Sequence, residues 1–217
     1  MLGLIEKDMR LTFARKQTLL IFFTMALVMG ISMDGSFIIE YLTMLAAIIS
    51  IKTISFDEYD NGFAFLMTLP FDRKTYVREK YLFCLMMSAA AWCIGAILYF
   101  IGNTIRRSGV NMVEELPMLI ALIPVMYLSS AIMIPVQLKY GSERSRIVLF
   151  ILFGCIAVLI FAAKDFFSGT ETPITELIRT IDNLSPAVVL LAIIAVCALA
   201  SGVSYMLSIR IMKKKEF

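Results

Sequence analysis

The sequence predicts an all-α membrane protein of six transmembrane helices with its N- and C-termini cytoplasmic. Three observations carry this. Six apolar segments fill most of the 217 residues. The basic residues between them fall almost entirely on alternate loops. The composition, 60% hydrophobic with a mean hydropathy of +0.86, is too apolar for an ordinary soluble domain.

The segment lengths follow from the bilayer. A hydrocarbon core of about 30 Å takes roughly 20 apolar residues per helix. The spans are residues 17–33, 36–55, 81–105, 117–138, 147–163 and 186–209 of a single transmembrane domain over residues 1–217. The second carries Glu40 and Lys52; the fifth is short, and Arg144 or Arg146 can snorkel beside it. The first is read as retained, because it follows a charged amphipathic stretch and has no small-residue cleavage site after it. With the N-terminus, loops 56–80 and 139–146 and the C-terminus on one side, that side holds 16 of the 20 Lys and Arg, counting Lys52 with its adjacent loop. The positive-inside rule makes it cytoplasmic. The tail residues Arg210, Lys213, Lys214 and Lys215 then face anionic lipid, so the net charge of +3 implies no nucleic-acid partner.

Three segments outside the spans carry structure. Leu2, Ile5, Met9 and Phe13 share one helical face, which predicts an interfacial amphipathic helix over residues 1–16. The loop between spans two and three opens on Asp57, Glu58 and Asp60, continues through an apolar stretch starting at Phe63 and ending at Leu69, and turns at Pro70. Asp72 can cap a helix running through Tyr76 and Val77 into span three. A loop so patterned either packs under the membrane domain or docks a partner. Outside, Thr172, Pro173 and Glu176 read as a helix start, with Ile174, Leu177, Ile178 and Ile181 on one face, so residues 164–185 are expected to hold a short helix at the external surface.

Several chemistries are missing. There is no histidine, hence no HExxH zinc site, and no GxSxG elbow. There is no GxxxxGK[ST] loop, so the chain is not expected to hydrolyse ATP in the P-loop manner. Cys84, Cys93, Cys155 and Cys197 all fall within spans and read as small buried residues, with neither a disulfide framework nor a metal site. Neither an enzyme nor a cofactor-bearing chain is expected. Glu40 is the one carboxylate well inside a span. It reads either as a hydrogen-bonded group near the external surface or as a polar contact in a translocation path or between subunits. In span four, Pro124 and Pro135 predict kinks, with Ser129 and Ser130 able to satisfy freed carbonyls. Gly95, Gly102 and Gly202 are candidate sites of close helix approach.

The cytoplasmic loop also carries a resemblance. Asp57-Glu58-Tyr59-Asp60, then Thr68-Leu69-Pro70-Phe71-Asp72-Arg73-Lys74, then Val77-Arg78-Glu79-Lys80-Tyr81-Leu82 resembles the membrane subunits of ABC-2-type exporters, with their acidic loop, LP-x-[S/D]-R-K element and V-x-x-K-Y run into span three. The start Leu4-Ile5-Glu6-Lys7-Asp8 is similar to that family's interfacial helix. The small size and this loop look most like the bacterial permeases related to the phenol-soluble-modulin exporter. The resemblance implies a separate ATPase subunit holding ATP and Mg, a second copy of this or a homologous permease, membrane lipids around it, and an amphipathic peptide cargo leaving through the bacterial cell membrane. It implies a coupling helix in the loop, with Phe63, Phe65, Leu66, Leu69 and Pro70 for apolar contact with the ATPase. Asp57, Glu58 and Asp60 would lie at the rim, with Arg73 and Lys74 near headgroups or the ATPase edge. It implies a path lined by spans one, two and five, to which Phe22, Met25, Glu40 and Met44 would contribute. Two other readings stay open, a standalone carrier or channel and the membrane subunit of an ATP-driven vitamin importer. The first has no use for a docking loop, and the second calls for an external polar pocket.

Overall fold

The computed structural model describes residues 1–32, 36–59, 62–106, 112–166 and 185–215. All regular structure among them is helical: α1 (Leu2–Ala14), α2 (Lys16–Ser32), α3 (Phe37–Glu58), α4 (Gly62–Met67), α5 (Arg73–Arg106), α6 (Met112–Phe166) and α7 (Pro186–Lys214). Four stretches among these residues are long and apolar enough to cross a membrane: Phe37–Glu58, Arg73–Ile105, Leu119–Ser145 and Ala187–Lys214. The pair α1 and α2, bent by 70°, makes a fifth if taken together.

The central helix is α3, which packs on α1, α2, α5 and α6, while α7 packs on α6 and α5. At 34 residues α5 is about 51 Å long by the 1.5 Å rise of an α-helix, far more than the hydrocarbon needs. Its first turns therefore project beyond the membrane and meet α1, α4 and the close of α7. This end is called the base of the bundle below. It holds the larger core cluster, which includes Leu4, Ile54, Phe63, Tyr76, Val77 and Met212. A smaller one, Ile39, Ala96, Tyr99 and Leu119, sits toward the far end.

The helix α1 does form, but the face it turns to the protein is Leu4, Asp8 and Thr12. The apolar face points away: Leu2 is 85% exposed and Phe13 50%. That suits a helix lying in an interface with lipid on one side and protein on the other.

The sequence suggests a loop over 139–146, but the chain stays helical there, interrupted only at Gly141. Gly141 has φ 78° and ψ 174°, open to glycine alone, and a Cβ would collide with the Glu58 carboxylate. Glu58 in turn accepts a 2.6 Å hydrogen bond from the Ser142 backbone N–H, capping the helical arm 142–166. One residue and one carboxylate thus do the work of a loop. Of the glycines proposed for close approach, Gly95 fits: a Cβ there would lie 2.9 Å from the Ile39 Cα. Among the described residues Gly102 and Gly202 have nothing within 4 Å to approach.

Pro135 of α6 is accommodated by a side chain. Pro135 leaves the carbonyl of Ala131, four residues back, without its helical donor. Ser204 Oγ of α7 donates to that carbonyl. Ser129 and Ser130, expected to satisfy freed carbonyls, instead donate to the Met126 carbonyl, which no proline deprives of its helical donor.

The external helix expected within 164–185 lies, from residue 167 to 184, outside the described residues, as does Asp60.

Candidate functional site

The candidate site is the base of the bundle, built around the loop between α3 and α5. Most of this loop is helical. After Glu58 the chain re-enters a short helix, α4, and after Met67 it turns through Pro70 and starts α5 at Arg73. Asp72 precedes that start, and the Tyr76 N–H donates to its carbonyl at 3.1 Å.

The pattern of α4 splits its apolar residues between two faces. Phe63 and Leu66, three apart, turn inward and are 5% and 7% exposed. The Phe63 ring meets Tyr76 edge-on at 5.7 Å, and the Lys215 ammonium lies 4.7 Å from its centroid. Phe65 and Leu69 turn outward, 68% and 39% exposed, with Pro70 beside them. Of the residues suggested for apolar docking, then, Phe63 and Leu66 anchor α4 to its own chain, and Phe65, Leu69 and Pro70 form the outer edge. Lys74 is exposed, but Arg73 is engaged: its guanidinium donates to the carbonyls of Met212, Lys213 and Lys215. It closes the C-terminal end of α7, where carbonyls otherwise lack donors.

Behind α4 lies an ionic core. Lys80 is 1% exposed and pairs with Asp8 of α1 and, at 2.8 Å, with Asp57 of α3. Lys7 pairs with both carboxylates as well. Tyr76 donates to Asp57 at 2.9 Å, and Thr53 donates to Asp8 at 2.9 Å while accepting from Lys80 at 3.0 Å. Burial pushes the Asp8 carboxyl up, but Lys80 and Lys7 more than offset this and hold it below the usual carboxylate range. Glu79, fully buried, stands 3.9 Å from Lys80, and its oxygens accept no hydrogen bond among the described residues. Asp57, suggested as a rim residue, is 5% exposed and belongs to this core. Glu58, half-buried, is the cap on residues 142–166 described above.

One turn further, Tyr81 Oη lies 2.7 Å from Ser204 Oγ and 2.9 Å from Ser208 Oγ, joining α5 to α7. The Val77-x-x-Lys80-Tyr81 run therefore has a physical meaning: Val77 fills the apolar core, Lys80 the ionic one, and Tyr81 reaches the hydroxyls of α7. Asp8, Thr53, Tyr76 and Glu79 are members of the site that hydropathy and spacing do not reveal.

The residues suggested for a translocation path are spread along the α2–α3 hairpin. Glu40 is half-buried in the first turn of α3; Met25 and Met44 are exposed, at 47% and 52%. Phe22 lines a narrow crevice with Leu19 and Ile49 nearer the base.

Against known proteins, the profile of the family described as ABC-2 family transporter protein matches residues 3–213. The chain therefore belongs to the ABC-2 transporter family, whose members are membrane subunits of ABC transporters. No match was found among curated proteins or among solved structures.

Proposed function

We propose that this chain is the permease of an ATP-driven exporter, with six spans, both termini in the bacterial cytoplasm, and a separate ATPase docked at the base of the bundle. It works as a dimer with a second copy or a homologous permease, and moves an amphipathic or hydrophobic cargo, a peptide, out of the cell. One observation carries the reading. The loop between α3 and α5 is held rigidly from behind by Phe63, Leu66 and the ionic core, yet leaves Phe65, Leu69 and Pro70 outward at the same end as α1 and the close of α7. An exposed apolar edge on a braced element fits a surface that takes force from a partner.

The mechanism is mechanical. ATP closes the ATPase pair and α4 moves with it. Asp57 and Glu58 sit at the hinge between α4 and the membrane helices, so the displacement reaches α1 through Lys7 and Lys80 and residues 142–166 through Ser142. The apolar character of α2 and α3, with Phe22, Met25 and Met44, suits a hydrophobic cargo. Asp60, Arg73 and Lys74 complete the proposed coupling region, and Glu40 the proposed path.

The test is a detergent pull-down of the tagged chain from its native cells, followed by Phe65→Ala/Leu69→Ala. A stoichiometric P-loop ATPase is expected with the native chain, and at least tenfold less with the variant at unchanged membrane insertion; a truncated hot spot costs about 2 kcal/mol. Equal recovery would remove these two residues from the docking surface. Recovery of no ATPase from either would favour a standalone carrier.

A further inference from the structure

Two cavities meet at the elbow between α1 and α2. The larger, about 470 Å³, is lined by Arg15 of the elbow, Lys52 and Ser55 of α3, Tyr59, and Ser142 and Glu143 beyond the Gly141 break. The smaller, about 50 Å³, shares Arg15, Lys52 and Phe56 with it and runs between α2 and α3 past Leu19, Phe22 and Ile49. Together they make a polar mouth continuous with an apolar slot.

The charges at the mouth are unbalanced. Arg15 and Lys52 form no ion pair among the described residues, whereas Lys7, Arg10 and Lys80 do and Arg73 caps carbonyls. Arg15 is held by its guanidinium lying 4.7 Å from the Phe56 ring centroid, leaving its N–H fork free for an oxyanion. The hydroxyls of Ser55, Tyr59 and Ser142 add donors, and Ser55 also accepts from Gln137. Among the described residues Glu143 is the one acid lining the mouth, so their net lining charge is +1, which matches a monoanion rather than a doubly charged phosphate.

The position fits a bilayer surface. Lys52 lies six residues before the end of α3, about 9 Å of helix, and Arg15 directly precedes α2, whose apolar run starts at Leu19. Basic pockets between helices at this depth take lipid headgroups. We infer that the elbow cavity binds a monoanionic phospholipid of the adjoining leaflet, its phosphodiester on Arg15 and Lys52 and the first methylenes of an acyl chain in the slot beside Phe22. The site depends on the chain being membrane-embedded and is independent of what cargo it moves or which ATPase drives it.

The test uses the full-length chain in vesicles of phosphatidylcholine doped with equal amounts of phosphatidylglycerol and phosphatidylethanolamine. The protein is then extracted in mild detergent, and retained lipid is counted by native mass spectrometry. Phosphatidylglycerol is expected about tenfold above its share in the vesicle, from the attraction of two cations partly offset by one acid. Arg15→Gln/Lys52→Gln is expected to reduce it to that share. Both side chains are exposed, so the variant should fold. Arg10→Gln, on α1 but paired with Glu6 away from the cavity, is expected to retain the lipid as the native chain does. Retention unaffected by the double variant, equal loss with Arg10→Gln, or enrichment of phosphatidylethanolamine instead would each overturn the assignment.

Discussion

The two ends of this bundle are held together by different means. At the base, α1, α3 and α5 are joined by lysine–carboxylate pairs, α5 and α7 by Tyr81, Ser204 and Ser208, and the close of α7 by Arg73. At the far end α3, α5 and α6 meet through Ile39, Ala96, Tyr99 and Leu119, with the Trp92 indole donating to the Leu119 carbonyl at 2.7 Å. Lipid tails are as apolar as leucine, so helices in a membrane gain little from hydrophobic contact and depend on close packing and polar bonds. Among the described residues the base has many directional bonds and the far end few. Directional bonds transmit displacement without slipping, which the end proposed above to receive force requires.

The contrast can be broken from the base. Lys80→Met leaves Asp8 and Asp57 buried beside one remaining cation, Lys7, and should cost about 3–5 kcal/mol, seen as a large fall in the thermal midpoint of the detergent-solubilised protein. Adding Asp8→Asn should restore part of it. An unchanged midpoint for Lys80→Met would mean that the ionic core does not hold the base. The comparable deletion at the far end, Trp92→Phe, removes one hydrogen bond and should cost about 1 kcal/mol by the same assay. A loss there as large as that of Lys80→Met would erase the distinction. The smallest effect sharpens it. Ser204→Ala should cost about 0.6 kcal/mol, typical of a bond between helices in a membrane. In a Pro135→Ala background, where residue 135 gains a backbone N–H for the Ala131 carbonyl, the same change should cost less. Additive losses in that double-mutant cycle would exclude Ser204 as the substitute donor.

Much of the architecture was legible because the bilayer imposes it. Long apolar runs had to become helices, and α2, α3, α5 and α7 lie where hydropathy puts them, although α5 starts eight residues before the apolar run that marks it. The continuity through 139–146 was not legible, because Gly141 reads as a loop residue unless Glu58 is known to sit over it. The ionic core was hidden for a similar reason. Asp8 looks like one more charge on an interfacial helix, and Glu79 and Lys80 look like a flank that sets topology. Their burial depends on partners far along the chain: Thr53 lies 45 positions from Asp8, and Lys80 lies 72. A helical reading of Leu4, Asp8 and Thr12 as one face was available, but nothing local marks that face as the buried one. Phe63 and Phe65 show the same limit, since two aromatics two residues apart on a helix must diverge, and only tertiary context says which goes in.

Asp8 has a further consequence for how the protein is made. It leaves the ribosome before its partners: Thr53 comes at the end of the second apolar run that follows it, and Lys80 only after both runs have been synthesised and inserted. Until then α1 has its apolar face for the membrane surface and, on the other, an acid paired only with its neighbour Lys7. Arg73 similarly waits for the last residues of α7 before its guanidinium is satisfied. α1 therefore cannot lock before α5 is made, and the base cannot close until α7 has been synthesised. Assembly of the surface proposed to meet the ATPase is in this way a late event, and a truncated chain would lack the carbonyls on which Arg73 closes it.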